Sequence, residues 1–126
     1  MQILAPYLSR PDERGGFLGI TQESWAEVNF IETRANQVRG NHYHKETREL
    51  FFIISGEIEV VIDDLTSGEH LELLFRKGDV FVIEPYEVHT FRTVTDAQWI
   101  NMLSQAMDPQ HPDFHQVAKK IRSKSN

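Results

Sequence analysis

The sequence predicts an all-β domain, an antiparallel sandwich or barrel, and three features support this prediction. Short apolar or alternating stretches recur about every 8 to 12 residues along most of the chain. Gly, Pro, Asp and Ser separate these stretches, as expected of turns between strands. Helical periodicity is nearly absent before the carboxyl-terminal part, which argues against a parallel sheet with crossover helices.

The amino-terminal third contains an exposed loop followed by a strand near Phe17 and two further predicted strands. Residues 9–16 concentrate Pro, Asp, Arg and Gly, which favours a loop that ends where a strand begins near Phe17. Strands are predicted at 26–31, from β-branched and aromatic residues, and at 36–44. Gly40 interrupts the second of these strands and indicates a β-bulge.

The middle of the chain carries the strongest strand signals. Residues 50–54 form a continuous apolar run that is too short for a typical helix and ends at Ser55-Gly56, so we predict a buried strand. Residues 57–63 alternate, which predicts a half-buried strand. Its apolar face consists of Ile58, Val60 and Ile62.

The remaining elements complete the sheets and add one helix. The further predicted strands are 71–75, 80–83, 88–94 and 98–103, with turns at 64–68, 77–79 and Glu84-Pro85. A short carboxyl-terminal helix is predicted at 114–121, before a polar tail at 122–126. We therefore expect a single domain over 1–126, with its core at about 17–104 and the helix and tail within 105–126.

Composition excludes several classes of function. The chain has 126 residues and a formal charge of −6, which opposes non-specific binding to nucleic acid or anionic lipid. No stretch approaches the roughly 18 apolar residues of a membrane span, and no leader pattern begins the sequence, so we expect a cytoplasmic protein. Cysteine is absent, which leaves His, Asp and Glu as the strong metal ligands.

Four of these residues are spaced so that they could share one metal ion. His42 and His44 alternate along a predicted strand and so project from the same face. Glu49 follows at an odd spacing, which requires a turn or bulge within 45–48 to bring it to that face. His89 begins another strand, and in a barrel such strand beginnings meet over the interior. Three imidazoles and one carboxylate suit a divalent ion such as Zn, Fe, Mn, Ni or Co.

The same residues resemble the two sequence motifs of the cupin superfamily. The first motif is matched by Gly40, His42, His44, Glu49 and Gly56 at the family's spacing. Gly78, Pro85 and His89 resemble the second motif, although the step from proline to histidine is one residue short and lacks the usual glycine. The resemblance implies a small cupin barrel, a double-stranded β-helix or jelly roll, with His42, His44, Glu49 and His89 as metal ligands.

A finer resemblance points to nucleotide-sugar cupins. Residues 12–15 and 39–42 are similar to the D-x-R-G and R-G-x-H signatures of dTDP-4-keto-6-deoxyhexose 3,5-epimerases and 3,4-ketoisomerases. The run R-G-N-H-Y-H, with its glutamate, resembles the metal-binding cupin domain of capsule-synthesis epimerase/reductases. In the metal-free epimerases the histidine of R-G-x-H is the base, a role that the resemblance gives to His42. In the ketoisomerases both histidines act, which adds His44. This chain keeps all four metal positions and in that respect departs from the metal-free groups.

Several other polar residues have two possible roles each, one in function and one in structure. Arg39, and with less support Arg14 and Arg92, could bind a substrate phosphate or pair with a surface carboxylate. Tyr86 could stack on a sugar or base at the cavity mouth, or simply end a turn. His111 and His115 could form a second metal pair on a helix, although Pro112 suits a helix start equally well.

These observations lead to one leading hypothesis and two alternatives. We expect a metal-dependent cupin that epimerises or isomerises a keto-sugar nucleotide by removing a proton beside a ketone. If all four ligands bind metal, the base must be another group, such as a tyrosine or Glu84. The alternatives are a dioxygenase with the same ligands and a small-molecule sensor. We also expect a homodimer, paired through the segment at about 1–30.

Overall fold

A computed structural model describes residues 1–117, which form twelve strands. The strands are β1 (Gln2–Leu4), β2 (Leu8–Ser9), β3 (Leu18–Gly19), β4 (Glu27–Thr33), β5 (Val38–Tyr43), β6 (Glu49–Ser55), β7 (Glu57–Asp64), β8 (His70–Arg76), β9 (Val80–Ile83), β10 (Glu87–Thr93), β11 (Ala97–Leu103) and β12 (His115–Gln116). Residues 1–117 contain no helix long and apolar enough to cross a membrane.

Two five-stranded antiparallel sheets pack face to face. The first sheet has the order β1-β9-β6-β11-β4, and the second sheet has the order β12-β5-β10-β7-β8. Strands β2 and β3 form a separate two-stranded hairpin. Consecutive strands repeatedly change sheets, as in a jelly roll, so the all-β fold class predicted from the sequence is confirmed.

Aromatic and β-branched side chains from both sheets form the main core. The ring of Phe81 stacks on those of Phe51 and Phe75, with centroid distances of 5.1 and 4.0 Å. The buried members of this core are Phe51, Ile53, Ile58, Val60, Ile62, Phe75, Phe81, Ile83, Phe91, Ala97 and Trp99. Because inward positions alternate along every strand, the alternating patterns in the sequence predict which side chains belong to this core.

The two continuous apolar runs are buried on both faces. Leu50, Val80 and Val82 point away from the main core and form a second buried cluster. Partly buried Ile20 and Trp25 pack against this cluster from the segment before β4. A strand covered on both sides needs no polar face. This explains why residues 50–54 of β6 and all four residues of β9 are apolar.

The ends of the chain differ from the prediction. Strand β1 pairs with β9, and β12 pairs with β5, so both sheets extend beyond the predicted core of 17–104. The predicted loop at 9–16 is the tip of the β2–β3 hairpin. The helix prediction is wrong at His115–Gln116, because the edge of β5 supplies strand partners there. The rest of that prediction, and the polar tail, lie outside the described residues.

Candidate metal centre

One end of the barrel encloses a cavity of about 480 Å³ between the two sheets. Its floor is apolar and includes Phe51, Phe91 and Trp99 from the main core. The wall is polar, with Glu27, Asn29, Arg39, His42, His44, Glu49, His89 and Asn101 among the lining residues. A concave site with an apolar floor and a few convergent polar groups is typical of small-molecule binding.

The structure brings the four predicted ligands together in this cavity. One ligand atom from each of His42, His44, Glu49 and His89 lies within 4.8 Å of the others. The three histidines come from the second sheet, where β5 carries His42, the end of β5 leads to His44, and β10 carries His89. Glu49 begins β6 in the first sheet and faces the histidines across the cavity.

A β-bulge in β5 sets the position of His42. His89 pairs with His42 and Thr90 pairs with Gly40, which leaves Asn41 as the extra residue. Gly40 and Asn41 have positive φ angles of 102° and 61°. A Cβ atom on Gly40 would lie 2.5 Å from the carbonyl oxygen of His89. The bulge predicted at this glycine is therefore confirmed, and the site requires a residue without a side chain there.

The odd spacing of Glu49 is explained by a change of sheet. On one continuous strand, the odd spacing would place His44 and Glu49 on opposite faces, and for this reason the sequence predicts a turn or bulge within 45–48. Residues 45–48 instead carry the chain from the second sheet to the first. Glu49 therefore reaches the cluster from the opposite wall of the cavity, as the polar turn at 45–48 allowed.

Backbone carbonyl groups orient two of the imidazole rings. The Nδ1 atom of His89 donates to the carbonyl oxygen of Glu87 at 3.1 Å, and that of His44 donates to the carbonyl oxygen of Asp113. A carbonyl oxygen has no proton to give, so each ring carries its proton on Nδ1 when neutral. The Nε2 lone pair of each ring is then free to bind a metal ion, in an arrangement typical of metal-binding histidines.

Glu49 presents one oxygen to these nitrogen atoms. Its Oε2 atom accepts a hydrogen bond from Nδ2 of Asn101 at 2.7 Å. Its Oε1 atom contacts Nε2 of His44 and lies 3.3 Å from Nε2 of His89. Within residues 1–117, His44 Nε2 and Glu49 Oε1 are buried without a hydrogen-bond partner of acceptable geometry. Lone pairs that face one another in a buried site require a cation among them, and this donor set fits a divalent metal ion.

The charges at the cluster favour the same conclusion. Burial, together with the neighbouring His89, lowers the pKa of His42 to about 4, so this ring is neutral and able to bind metal near pH 7. Burial alone would raise the pKa of Glu49, but the close approach of His44 and His89, which favour the carboxylate when their rings are protonated, holds it far below its ordinary value. Burial opposes a charge on His44, yet Glu49 raises the pKa of that ring overall. A proton and a metal ion therefore compete for one position.

The residues predicted to bind substrate do not all lie at the cavity. Arg39 is among the residues that line the cavity, and its Nε atom donates at 2.8 Å to Oγ1 of Thr33, which lies outside the lining. Arg14 does not line it and pairs with Asp12 at the tip of the β2–β3 hairpin, with its side chain 83% exposed. Tyr86 also lies outside the lining residues, and its ring stands 5.9 Å from that of Tyr43.

Other predicted participants also lie outside the cavity lining. Glu84, considered as a base, accepts from Nε of Arg48 at 2.8 Å. Arg92 pairs with Glu59 at 2.7 Å on an exposed surface. His115 pairs with Asp113 at 3.1 Å and does not join His111 in a metal cluster within residues 1–117.

Sequence reasoning missed three residues that contact the ligands. Asn101 holds Glu49, Asp113 holds His44, and the ring of Phe114 stacks on His42 with a centroid distance of 4.4 Å. Asn101 could have been predicted from the sequence, because it is a polar residue at an inward position of β11 between two apolar inward positions. Asp113 and Phe114 could not have been predicted, because their contacts depend on a turn that lies far from the motifs in the sequence.

Comparisons with known proteins identify a family for this chain but no curated relative. The profile of the family described as "Polysaccharide biosynthesis C-terminal domain" matches residues 10–115. A search of curated sequences finds no significant match.

Solved structures with similar folds include several enzymes of sugar metabolism. The capsular polysaccharide assembling protein CapF from Staphylococcus aureus is 24% identical with a TM-score of 0.69, covering 87% of this chain and 34% of CapF. The dTDP-4-dehydrorhamnose 3,5-epimerase from Sulfolobus tokodaii is 24% identical, with a TM-score of 0.72 and coverage of 82% and 70%. The sugar 3,4-ketoisomerase QdtA from Thermoanaerobacterium thermosaccharolyticum, solved with TDP, is 16% identical, with a TM-score of 0.76 and coverage of 90% and 86%.

These likenesses confirm the cupin fold that the motifs predicted. The chain spans about a third of the length of CapF, and most of the length of the two single enzymes.

Proposed function

Because the chain belongs to the polysaccharide biosynthesis C-terminal domain family, we propose that it is a metal-binding epimerase or ketoisomerase that acts on a keto-sugar nucleotide. The observation that carries this proposal is the convergence of four ligand atoms within 4.8 Å inside a cavity of about 480 Å³. Two proteins of similar fold are a 3,5-epimerase and a 3,4-ketoisomerase, which supports the same class of reaction.

The proposed chemistry moves a proton beside a ketone. A proton is removed from the carbon next to the carbonyl group and is returned to the other face of that carbon or to a neighbouring carbon. A divalent ion in the cluster would supply polarisation of the carbonyl oxygen. The buried side chains of His44, Glu49 and His89 would hold this ion. Backbone carbonyl groups and Asn101 already fix the orientation of these side chains.

His42 is the member of the cluster to which we assign proton transfer. It is half-buried, whereas the other three ligands are buried, so it lies on the cavity side of the cluster. Its variant His42→Gln separates two roles. A variant that keeps the metal and loses turnover identifies a proton acceptor, and one that loses the metal identifies a ligand.

Arg39 is the residue that we assign to a phosphate group of the substrate. Its side chain lines the cavity, and its Nε and Nη2 atoms donate to Thr33 and to the carbonyl oxygen of Glu32. A guanidinium group carries five N–H donors, so others remain to bind a phosphate oxygen.

The decisive experiment is deuterium exchange from solvent. The purified protein, with its bound metal identified by mass spectrometry, is incubated in D₂O with dTDP-4-keto-6-deoxyglucose. We expect deuterium to enter at a carbon beside the ketone, and Glu49→Gln to abolish this exchange. Binding of the sugar nucleotide without exchange would contradict the enzyme assignment and favour a sensor. Bound iron with oxygen uptake on another substrate would favour the dioxygenase.

We also propose that the chain forms a homodimer. Val28 and Phe30 are 60% and 57% exposed on the outer face of β4, which is an edge strand of the first sheet. In the amino-terminal hairpin, Tyr7 and Phe17 are 52% and 62% exposed. A second copy would cover these apolar groups and pair the free strand edge. Light scattering tests this: we expect a dimer that Phe30→Asp dissociates, while Leu65→Asp, at an exposed turn of the second sheet, does not.

A further inference from the structure

We infer that the segment at 105–117, here called the carboxyl-terminal strap, is part of the metal centre, and that Asp113 is the positioning residue that fixes it there. This inference rests on the metal site in the proposed function and extends it to a part of the chain that contributes no ligand. The strap reaches the cluster through contacts of Asp113 and Phe114 and through the strand pairing of Gln116.

The carboxylate of Asp113 binds the chain directly after His44. Its Oδ1 atom accepts from the backbone nitrogen of Lys45 at 2.8 Å. Its Oδ2 atom accepts from the backbone nitrogens of Glu46 and Thr47 at 2.8 and 2.9 Å, and from Oγ1 of Thr47 at 2.9 Å. Nε2 of His115 also lies 3.1 Å from Oδ1, so five donors converge on one carboxylate, and the three successive amides among them form a nest that selects an anion.

The same residue also holds the ring of His44. The carbonyl oxygen of Asp113 accepts from Nδ1 of His44, so Nε2 is directed toward Oε1 of Glu49. Side chain and main chain of one residue therefore fix the backbone that follows this ligand and the orientation of its imidazole. Outer contacts of this kind raise metal affinity by holding the ligand in its binding orientation.

The strap continues onto a second histidine of the cluster. The ring of Phe114 stacks on that of His42 and lines the cavity. Strand β12 then pairs with β5, with Gln116 opposite His42 and His115 opposite Tyr43. Two of the three histidines are therefore in contact with the strap.

A thermodynamic consequence follows from these contacts. A metal ion needs His44 in its bound orientation, and the docked strap provides that orientation. Docking must then strengthen metal binding, and by linkage metal binding must stabilise the docked strap by the same factor. A strap that only covered apolar surface would change stability without this coupling.

The test compares Asp113→Asn with Asp108→Asn, using Zn²⁺ alone as the probe. Asp113→Asn keeps the shape but turns an NH₂ group toward backbone donors, whereas Asp108 accepts only from the backbone nitrogen of Gln110, at 2.9 Å, within residues 1–117. We expect calorimetry to show zinc affinity about 10–100-fold weaker in Asp113→Asn and unchanged in Asp108→Asn. Hydrogen exchange at 105–117 in the wild-type protein should slow when zinc is added, and this slowing should be reduced in Asp113→Asn.

The outcomes separate this inference from the proposed reaction. Equal zinc affinity in the two variants would overturn the role of Asp113. So would hydrogen exchange at 105–117 of the wild-type protein that does not slow when zinc is added. If Asp113→Asn does not fold, the wild-type exchange measurement decides alone. If zinc binding and strap docking are coupled but no deuterium from solvent enters the substrate, the proposed reaction is overturned and this inference stands. A wild-type protein that binds no zinc would overturn both.

Discussion

The two ends of the barrel are built from the same strands and differ in what their inward positions carry. Along β6 these positions are Glu49, Phe51 and Ile53. Along β10, His89 lines the cavity and is followed two residues later by Phe91 in the core. In each strand a polar group of the cavity is followed by an apolar core residue at the next inward position. The step from packed core to candidate site is thus two residues long.

The difference shows two ways to satisfy a buried position. At the packed end, stacked rings fill most of the space. At the open end, buried polar side chains are held by specific hydrogen bonds, as Asn101 holds Glu49, Asp113 holds His44 and the carbonyl oxygen of Glu87 holds His89. Substitutions at the packed end should therefore change stability, and those at the open end should change metal binding.

The largest expected effect is loss of stability at the packed end. Phe81 is fully buried between two stacked rings, and Phe81→Ala would leave a cavity there. We expect the free energy of unfolding in urea to fall by about 3–5 kcal/mol. The matched control is Leu74→Ala, at a side chain 45% exposed on β8, which should change it by less than about 0.5 kcal/mol. Similar values for the two variants would contradict the assigned core.

A smaller effect is expected at the boundary between the ends. Gly40→Ala would place a methyl group 2.5 Å from the carbonyl oxygen of His89 and strain a residue with φ of 102°. Gly78→Ala strains a residue with φ of 90° but meets no heavy atom within 4 Å. We expect both variants to lose about 1–3 kcal/mol of stability and Gly40→Ala alone to weaken zinc binding. Unchanged zinc affinity in Gly40→Ala would show that the bulge does not position the histidines.

The smallest expected effect is acid sensitivity at the cavity wall. Hydrogen bonds from Asn29 and from the backbone nitrogen of Met107 lower the pKa of Glu27 below its ordinary value of 4.5. A carboxylate with a lowered folded-state pKa stabilises the fold above its unfolded-state value, and this contribution is lost as the pH falls. We expect stability to decline as the pH falls below about 4.5, and the decline to be shallower in Glu27→Gln. Identical slopes, measured by urea unfolding, would contradict this role for Glu27.

Patterns within a single strand were readable from the sequence. Alternation in 57–63 predicted β7, and the uninterrupted run at 80–83 predicted β9 with its bounds. Gly40 predicted the bulge, because a glycine inside a strand has few other uses. The ligand cluster was predicted from motif spacing, and the structure places all four residues in one cavity.

Features that depend on distant segments were not readable. The helix expected at 114–121 gives way to a strand at 115–116 because β5 offers a free edge, which no local pattern reveals. Strand β1 was missed since its side chains are exposed and carry no alternation. Asp113 was missed for the same physical reason, as its partners at 44–47 lie far from it along the chain.

The most direct test of the metal centre is a zinc titration of metal-free protein by calorimetry, with Glu49→Gln as the comparison. Glu49 faces two histidine nitrogens, so its replacement should leave the fold intact and weaken binding by more than about 100-fold. We predict one zinc ion per wild-type chain and none at the same concentrations in the variant, with both proteins showing the same β-rich circular dichroism. A folded wild-type protein that binds no zinc, or a Glu49→Gln variant that binds it equally well, would contradict the proposed metal centre.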